Sequence, residues 1–236
     1  MTRQADLQSL IVCSDVEGYE LIDEYAGKML LTKHAIPTPQ GWAVRTPEEV
    51  MAVKQHLSGP VVVKALGVIN KRAVNAVKLN LNTINETLAA VESMKDISHR
   101  YLIEEMIEGG IAKISVKIKR DINSGLYLVL GAAGSSESSI NDSRLLLLPT
   151  SVRDITRALL GLRCAYQFHG TDGRLKADVQ GAATAIQKIA HFAQWQSSSL
   201  AELEVNPMII GSAGHGAWVA DVAVRMKGFK LTDLYS

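Results

Sequence analysis

At 236 residues, with 47% apolar and 21% charged residues, the chain can bury a sizeable core as one large domain or two linked lobes. A net charge of +1 gives no sign of broad electrostatic attraction to nucleic acid or an anionic membrane, and an aromatic content of 5% disfavours a base-stacking surface. Cys13 and Cys164 form no metal or redox motif and fit free thiols in a reducing compartment. No apolar run reaches membrane-spanning length, and Leu10 to Cys13 is too short a core for a signal peptide, so the expected location is the cytoplasm.

Residues 1–15 read as a lead-in. Glu20 to Lys33 carries Leu21, Ile22, Tyr25, Met29 and Leu30 at helical spacing. The following His34-Ala-Ile-Pro37 ends that helix, because a proline disfavours the helical region for its predecessor. Trp42 to Val44 reads as a strand. Thr46-Pro47-Glu48-Glu49 opens a helix reaching about Leu57, with a cap, a proline in the first turn and acids that suit the dipole. Strands are expected over Val61 to Lys64 and Ala76 to Leu81, then a helix from about Thr83 to Met94. Tyr101 to Met106, Ala112 to Lys119 and Leu126 to Leu130 read as strands, and Leu145 to Leu148 as a buried strand at most. Pro149-Thr-Ser151 opens a helix to about Leu162, and Val179 to Ala193 carries a clear helical stripe. Interleaved strands and helices with antiparallel hairpins place the chain in the mixed α/β, or α+β, class.

The most informative stretch follows. Glu202-Leu-Glu-Val-Asn-Pro-Met208 and Val219-Ala-Asp-Val-Ala-Val224 flank the glycine-rich Gly211 to Gly216, which reads as a β-hairpin. Antiparallel pairing about a centre between Ala213 and Gly214 sets Asn206 opposite Asp221, Val205 opposite Val222, Leu203 opposite Val224 and Glu202 opposite Arg225. One face then carries Glu204, Asn206 and Asp221, and the other carries Leu203, Val205, Val222 and Val224. Carboxylate and amide oxygens gathered in this way suit a hard cation such as Mg²⁺ arriving with substrate phosphates. A solvated polar face would carry the same residues, so the hairpin alone leaves both readings open.

Several segments line up in order along the chain. They are the helix through Gly27-Lys28-Met29 ending at Ile36-Pro37-Thr38-Pro39, Thr46-Pro47-Glu48-Glu49, Pro60-Val-Val-Val-Lys64 and Ile103-Glu104-Glu105-Met106-Ile107-Glu108-Gly109-Gly110. Lys119-Arg120-Asp121, Gly131-Ala-Ala-Gly134, Asn141-Asp142, Pro149, Glu202 to Met208 and Asp221 complete the series. Over roughly residues 16–228 this resembles the ATP-grasp (β) subunit of the nucleoside-diphosphate-forming acyl-CoA synthetases, the family that includes the succinyl-CoA synthetase β chain.

The resemblance implies an ATP-grasp fold, two α/β lobes with mostly antiparallel sheets around a nucleotide cleft. It implies a lead-in over 1–15, an N-terminal helix and smaller lobe over 16–100, and a larger lobe with the metal-site hairpin over 101–236. It further implies that Lys64 contacts nucleotide phosphate, that Glu104, Glu105 and Met106 lie at the hinge recognising adenine, and that Asn206 and Asp221 hold Mg²⁺ with Glu204 beside them. The implied reaction makes an acyl-CoA, ADP and phosphate from a carboxylic acid, CoA and ATP. A partner is implied too: an α-type CoA-binding subunit carrying a phosphohistidine, since no CoA-binding Rossmann segment is recognisable here, and hence a homo- or hetero-oligomer.

The chain departs from the family pattern in its phosphate loop. Asn70 stands where some members have a histidine that relays the phosphoryl group, so no catalytic residue is assignable on this chain. Asn75 and Ala76 replace two glycines, and Ala112-Lys113 occupies the place of a glutamate associated with the ribose. Glu137 falls one position out of register. Losing two hydrogen bonds to charged groups, about 1.5–3 kcal/mol each, weakens binding by about 10²- to 10⁴-fold. Lys71, Arg72, Lys78 and Lys113 offer compensating charge. None of the six histidines shows paired or HExxH-like spacing. Two other functions therefore stand beside the synthetase subunit: a non-catalytic ATP-grasp scaffold or regulatory subunit, and a ligase joining a carboxylate to an amine without CoA.

Overall fold

Two antiparallel sheets organise the chain in a computed structural model that describes residues 7–69, 71, 73–134, 142–170 and 175–235. The smaller sheet has four strands: β3 (Gly41–Val44), β4 (Val61–Ala65), β5 (Val77–Leu81) and β6 (Tyr101–Glu105), in the spatial order β3-β6-β4-β5. Its apolar face packs Val61, Val63 and Ile103 against Val50 of α2 (Pro47–His56), Ala90 of α3 (Ile84–Glu92) and Met94. Both helices start where side-chain caps allow. Thr46 accepts the Glu49 N–H at 3.3 Å, and Thr83 with Glu86 forms a reciprocal capping box.

The larger sheet runs β1-β2-β12-β10-β7-β8-β9, with β11 paired to β10. Its strands are β1 (Ile11–Ser14), β2 (Glu20–Ile22), β7 (Ala112–Asp121), β8 (Gly125–Ala132), β9 (Ser143–Leu147), β10 (Leu200–Ile210), β11 (Ala217–Val219) and β12 (Val222–Met226). One face is buried beneath α1 (Glu24–Lys33), α4 (Val152–Leu160) and α6 (Val179–Trp195), with Val116, Ile118, Leu128, Leu203 and Val205 in the core. The opposite face carries cross-strand ion pairs, Lys117 with Glu204 at 3.0 Å and Lys119 with Glu202 at 3.5 Å. The short helices α5 (Tyr166–His169) and α7 (Thr232–Tyr235) complete the α-helices among the described residues. No helix among the described residues is long and apolar enough to cross a membrane.

Several expectations need correction. The lead-in contains a strand, because Ile11–Ser14 pairs with β2. Glu20–Ile22 is itself a strand rather than the start of a helix: Leu21 and Ile22 pair with Arg225 and Val224. The helix begins only after Asp23, whose carboxylate accepts the Ala26 N–H at 2.8 Å. Finally, β9 lies at the sheet's edge, so Leu145 and Leu147 face outward and are 59% and 61% exposed rather than buried. Sheet membership runs across the expected boundary at residue 100, since β6 belongs to the smaller sheet while β1 and β2 belong to the larger one.

One carboxylate ties the hairpin to the helical layer. Asp178 caps α6 by accepting the Gly181 N–H at 2.9 Å, and its other oxygen accepts the N–H groups of Gly214 and Gly216 at 3.1 and 2.8 Å. Both of the latter glycines have positive φ, 84° and 76°, which gives their N–H groups this common direction at little strain. Burial raises the Asp178 carboxyl, but the Gly181, Gly216 and Gly214 N–H groups outweigh it and hold the group below its ordinary 3.8. Asp178→Ala is therefore expected to cost about 1–2 kcal/mol of stability at neutral pH. With the folded value depressed, that contribution is present above the unfolded value and is lost as pH falls through the folded one. Urea unfolding of both proteins at about pH 7 and about pH 2.5 should show the difference shrinking at the acid end.

Candidate nucleotide and metal site

The hairpin forms in the register that its spacing implies. Glu202 pairs with Arg225, Leu203 with Val224 and Val205 with Val222, and the Asn206 N–H reaches the Asp221 carbonyl at 3.2 Å. Leu203, Val205, Val222 and Val224 are buried, while Glu204, Asn206 and Asp221 turn to the other face. There they line a cavity of about 560 Å³ between the two sheets. The opposing wall comes from the segment after β4, through Gly67, Ile69 and Lys71, and from Asp23 and Glu24 at the start of α1.

Beside this cavity lies a buried cluster of charge. Glu24, only 2% exposed in its side chain, meets three lysines: Lys28 at 2.9 Å, Lys64 at 2.5 Å, and Lys71. Glu104 bridges Lys28 at 2.5 Å and Lys64 at 2.8 Å. Lys71 also reaches Asp221 at 3.0 Å, and both Lys28 and Lys64 donate to the Ala220 carbonyl. A second pair, Arg100 with the Asp23 carboxylate at 2.8 Å, crosses between the same two sheets. Burial opposes ionisation of Glu24, but Lys28, Lys64 and Lys71 outweigh it and hold its carboxyl well below the usual range. Burial likewise opposes the charge on Lys64, yet Glu24, Glu104 and Asp221 carry its ammonium above its ordinary value. For Lys28 burial wins, and its ammonium lies below the ordinary value despite Glu24. The cluster sums to three ammonium groups against the carboxylates of Glu24, Glu104 and Asp221, so it is close to neutral.

The residues singled out by sequence fall in different places. Lys64 sits within the cluster, with its three ammonium protons directed to Glu24, Glu104 and the Ala220 carbonyl. Glu104 points into that same cluster, and Gly41 lets β3 close over it: a Cβ at Gly41 would lie 2.6 Å from the Glu104 Cβ. Glu105 and Met106 line a separate cavity of about 240 Å³ with Thr38, Pro39 and Trp218. Their backbone N–H groups are spent within the protein, on the Gln40 and Pro60 carbonyls at 2.9 and 3.0 Å. Lys113 is an exposed β7 residue opposite Ile209 and lines neither cavity. Asn70, Arg72 and Glu137 lie outside the described residues.

In the altered phosphate loop Asn75 adopts φ 58°, the left-handed conformation that glycine takes freely and asparagine takes more readily than most residues. Ala76 is fully buried in the smaller lobe's core and donates its N–H to the Lys71 carbonyl at 2.8 Å. The loop thus keeps a left-handed turn at one substituted position and fills space at the other.

The oxygen set fits a hard divalent cation. Asn206 Oδ1 accepts the Gly134 N–H at 3.3 Å, and its amide nitrogen donates to Glu204 at 3.3 Å, which fixes the amide in the cavity wall that Glu204 and Asp221 also line. No group of three or more His, Cys, Asp or Glu residues suited to a metal occurs among the described residues. Two carboxylates and an amide are nonetheless what Mg²⁺ uses when substrate phosphates complete its shell. Asp221 and Asn206 would hold the ion, with Glu204 turned partly toward Lys117.

Glu24 and Lys28 escaped the sequence reading. A glutamate and a lysine four apart on a helix carry no local mark of burial, because the same spacing serves an exposed pair. The signal that could have found them is that Glu24 directly follows a capping aspartate, on a turn whose flanking Leu21, Ile22 and Ala26 are apolar.

Comparison with known proteins agrees with the fold. Residues 15–226 match the model of the ATP-grasp domain. The β subunit of an ADP-forming acetate–CoA ligase II from Pyrococcus furiosus is 20% identical over 90% of this chain and 94% of its own length. An ADP-forming acetate–CoA ligase from Methanocaldococcus jannaschii is 24% identical over 86% of this chain but only 30% of its own length, so the chain spans about a third of that relative. The same fold occurs in an acetyl-coenzyme A synthetase of Ca. Korarchaeum cryptofilum in complex with coenzyme A and Mg-AMPPCP. The TM-score is 0.74 at 20% identity, over 86% of this chain and 92% of that one. With a family match over nearly its whole length and a cleft between two antiparallel sheets, the chain belongs to the ATP-grasp family.

Proposed function

We propose that this chain is the ATP-grasp subunit of an ADP-forming acyl-CoA synthetase, which converts a carboxylic acid, CoA and ATP to acyl-CoA, ADP and phosphate. It acts in the cytoplasm as part of a hetero-oligomer with an α-type, CoA-binding subunit whose phosphohistidine carries the phosphoryl group. The observation that carries the reading is the cavity between the sheets, with the oxygens of Glu204, Asn206 and Asp221 on one wall and Lys71 on the other. A relative of matching length that is a β subunit, and a fold shared with a protein that binds Mg-AMPPCP, support it.

Within this reading the chain works as two lobes meeting at β6. Bound Mg²⁺ would neutralise phosphate charge and align the transfer. Asn206 and Asp221 would hold it, and Glu204 orients Asn206. Lys71, and Lys64 behind it, stabilise the phosphates by exchanging a carboxylate partner for a phosphate one. The cavity at Glu105, Met106 and Trp218 accepts the base, through side chains and carbonyls rather than through the two N–H groups already engaged.

One observation favours the scaffold instead: every ammonium proton of Lys64 already has a partner inside the protein. Calorimetry with Mg·ATP separates the readings. The synthetase subunit should bind with a Kd tighter than about 100 µM, within the span usual for enzyme substrates. Absence of heat up to about 1 mM nucleotide would leave only the scaffold.

A further inference from the structure

We infer that Lys71 and the divalent cation are alternative occupants of Asp221, so that metal enters the cleft only with phosphates that draw Lys71 away. The inference rests on the nucleotide reading above and adds an order to it. Lys71 lies on the segment joining β4 to β5 in the smaller lobe, yet its ammonium reaches Glu24 on α1 and, at 3.0 Å, Asp221 immediately before β12. Its side chain is 15% exposed and that of Asp221 is 34%, so the contact sits at the cavity wall, where a ligand can reach it.

The two carboxylates that hold Lys71 are not equivalent. Glu24 keeps Lys28 and Lys64 when Lys71 leaves. Asp221 pairs with no other cation at salt-bridge distance among the described residues. Departure of Lys71 therefore leaves one acid paired and the other without an ion-pair partner, in a cavity wall shared with Asn206 and the Glu204 carboxylate. An ammonium and a divalent ion repel each other strongly across a few ångströms, so both cannot share Asp221. Phosphate resolves the conflict by accepting Lys71 while supplying the metal's remaining oxygens. Because coupling is reciprocal, nucleotide must raise metal affinity by the factor that metal raises nucleotide affinity.

The test is Mn²⁺ binding to the 236-residue chain, read from the free-ion signal in electron paramagnetic resonance, with and without a non-hydrolysable ATP analogue. Without nucleotide, Lys71→Met should bind Mn²⁺ about 5-fold more tightly than wild type, the factor that follows from removing the partly exposed ion pair at Asp221. Lys71→Arg, which keeps the charge, should behave as wild type. Lys71→Met/Asp221→Asn should lose the gain. If Lys71→Met fails to fold, as circular dichroism would show, Lys71→Gln serves the same comparison. Equal nucleotide-free affinities in wild type and the uncharged variants, with the analogue still tightening Mn²⁺ binding in wild type, would overturn the inference and leave the nucleotide site standing. Failure of wild type to bind the analogue at all would overturn the reading beneath it.

Discussion

Replacing Glu24 with glutamine is expected to lower the free energy of unfolding by about 3–5 kcal/mol, the range for removing one partner of a buried ion pair. The carboxylate is 2% exposed and meets three ammonium groups. Without its charge, Lys28, Lys64 and Lys71 face only Glu104 and Asp221, and one positive charge remains uncompensated in a place shielded from water. The loss falls on the contact between lobes, because Lys64 comes from the smaller sheet and Glu24 from the helix packed on the larger one. The sign with pH follows from the depressed carboxyl. The contribution is fully present above the ordinary 4.5 and disappears as pH falls through the lower folded value. Guanidinium unfolding of the two proteins near neutral pH checks the magnitude, and a difference below about 1 kcal/mol would mean that the cluster is solvated in solution.

Asp221→Asn should have the opposite profile, with little effect on stability and a large one on chemistry. Its side chain is about one third exposed, and its ion pair with Lys71 is worth at most about 1 kcal/mol. Loss of a carboxylate from the cation wall should lower turnover of the reconstituted synthetase by at least about 100-fold, the scale of removing one electrostatic contact to a transferring group. A steady-state assay of CoA- and acid-dependent ADP release, run alongside thermal unfolding, reads both quantities. Normal turnover by the variant would show that Asp221 is not a metal ligand. Since Glu24 and Asp221 both contact the Lys71 ammonium, the contrast between the two variants separates the charge that holds the lobes from the charge that serves the phosphates.

How much of this could be read from the chain depends on the range of the forces involved. The hairpin register was legible because local signals agree. A glycine-rich loop sets the centre, and the alternation of Leu203 and Val205 with Glu204 and Asn206 allows only one face inward. The helix starts at Thr46 and Thr83 were legible for a similar reason, since a capping side chain acts within three residues. Glu20–Ile22 was misread because three residues carry too little periodicity to separate strand from helix; their strand character comes from pairing with Arg225 and Val224, two hundred residues away in sequence.

By itself the sequence determined the alternation and capping of most strands and helices, the oxygen-bearing face of the hairpin, and a family pattern strong enough to name the fold. Tertiary structure alone decided that Glu24, Lys28, Lys64 and Glu104 are buried together and that Lys71 meets Asp221 across the cleft. The physical reason is that a charged side chain announces its presence in the sequence but not its dielectric surroundings. Only the laying of one sheet against another removes water from these groups and turns separate surface-like charges into a single network.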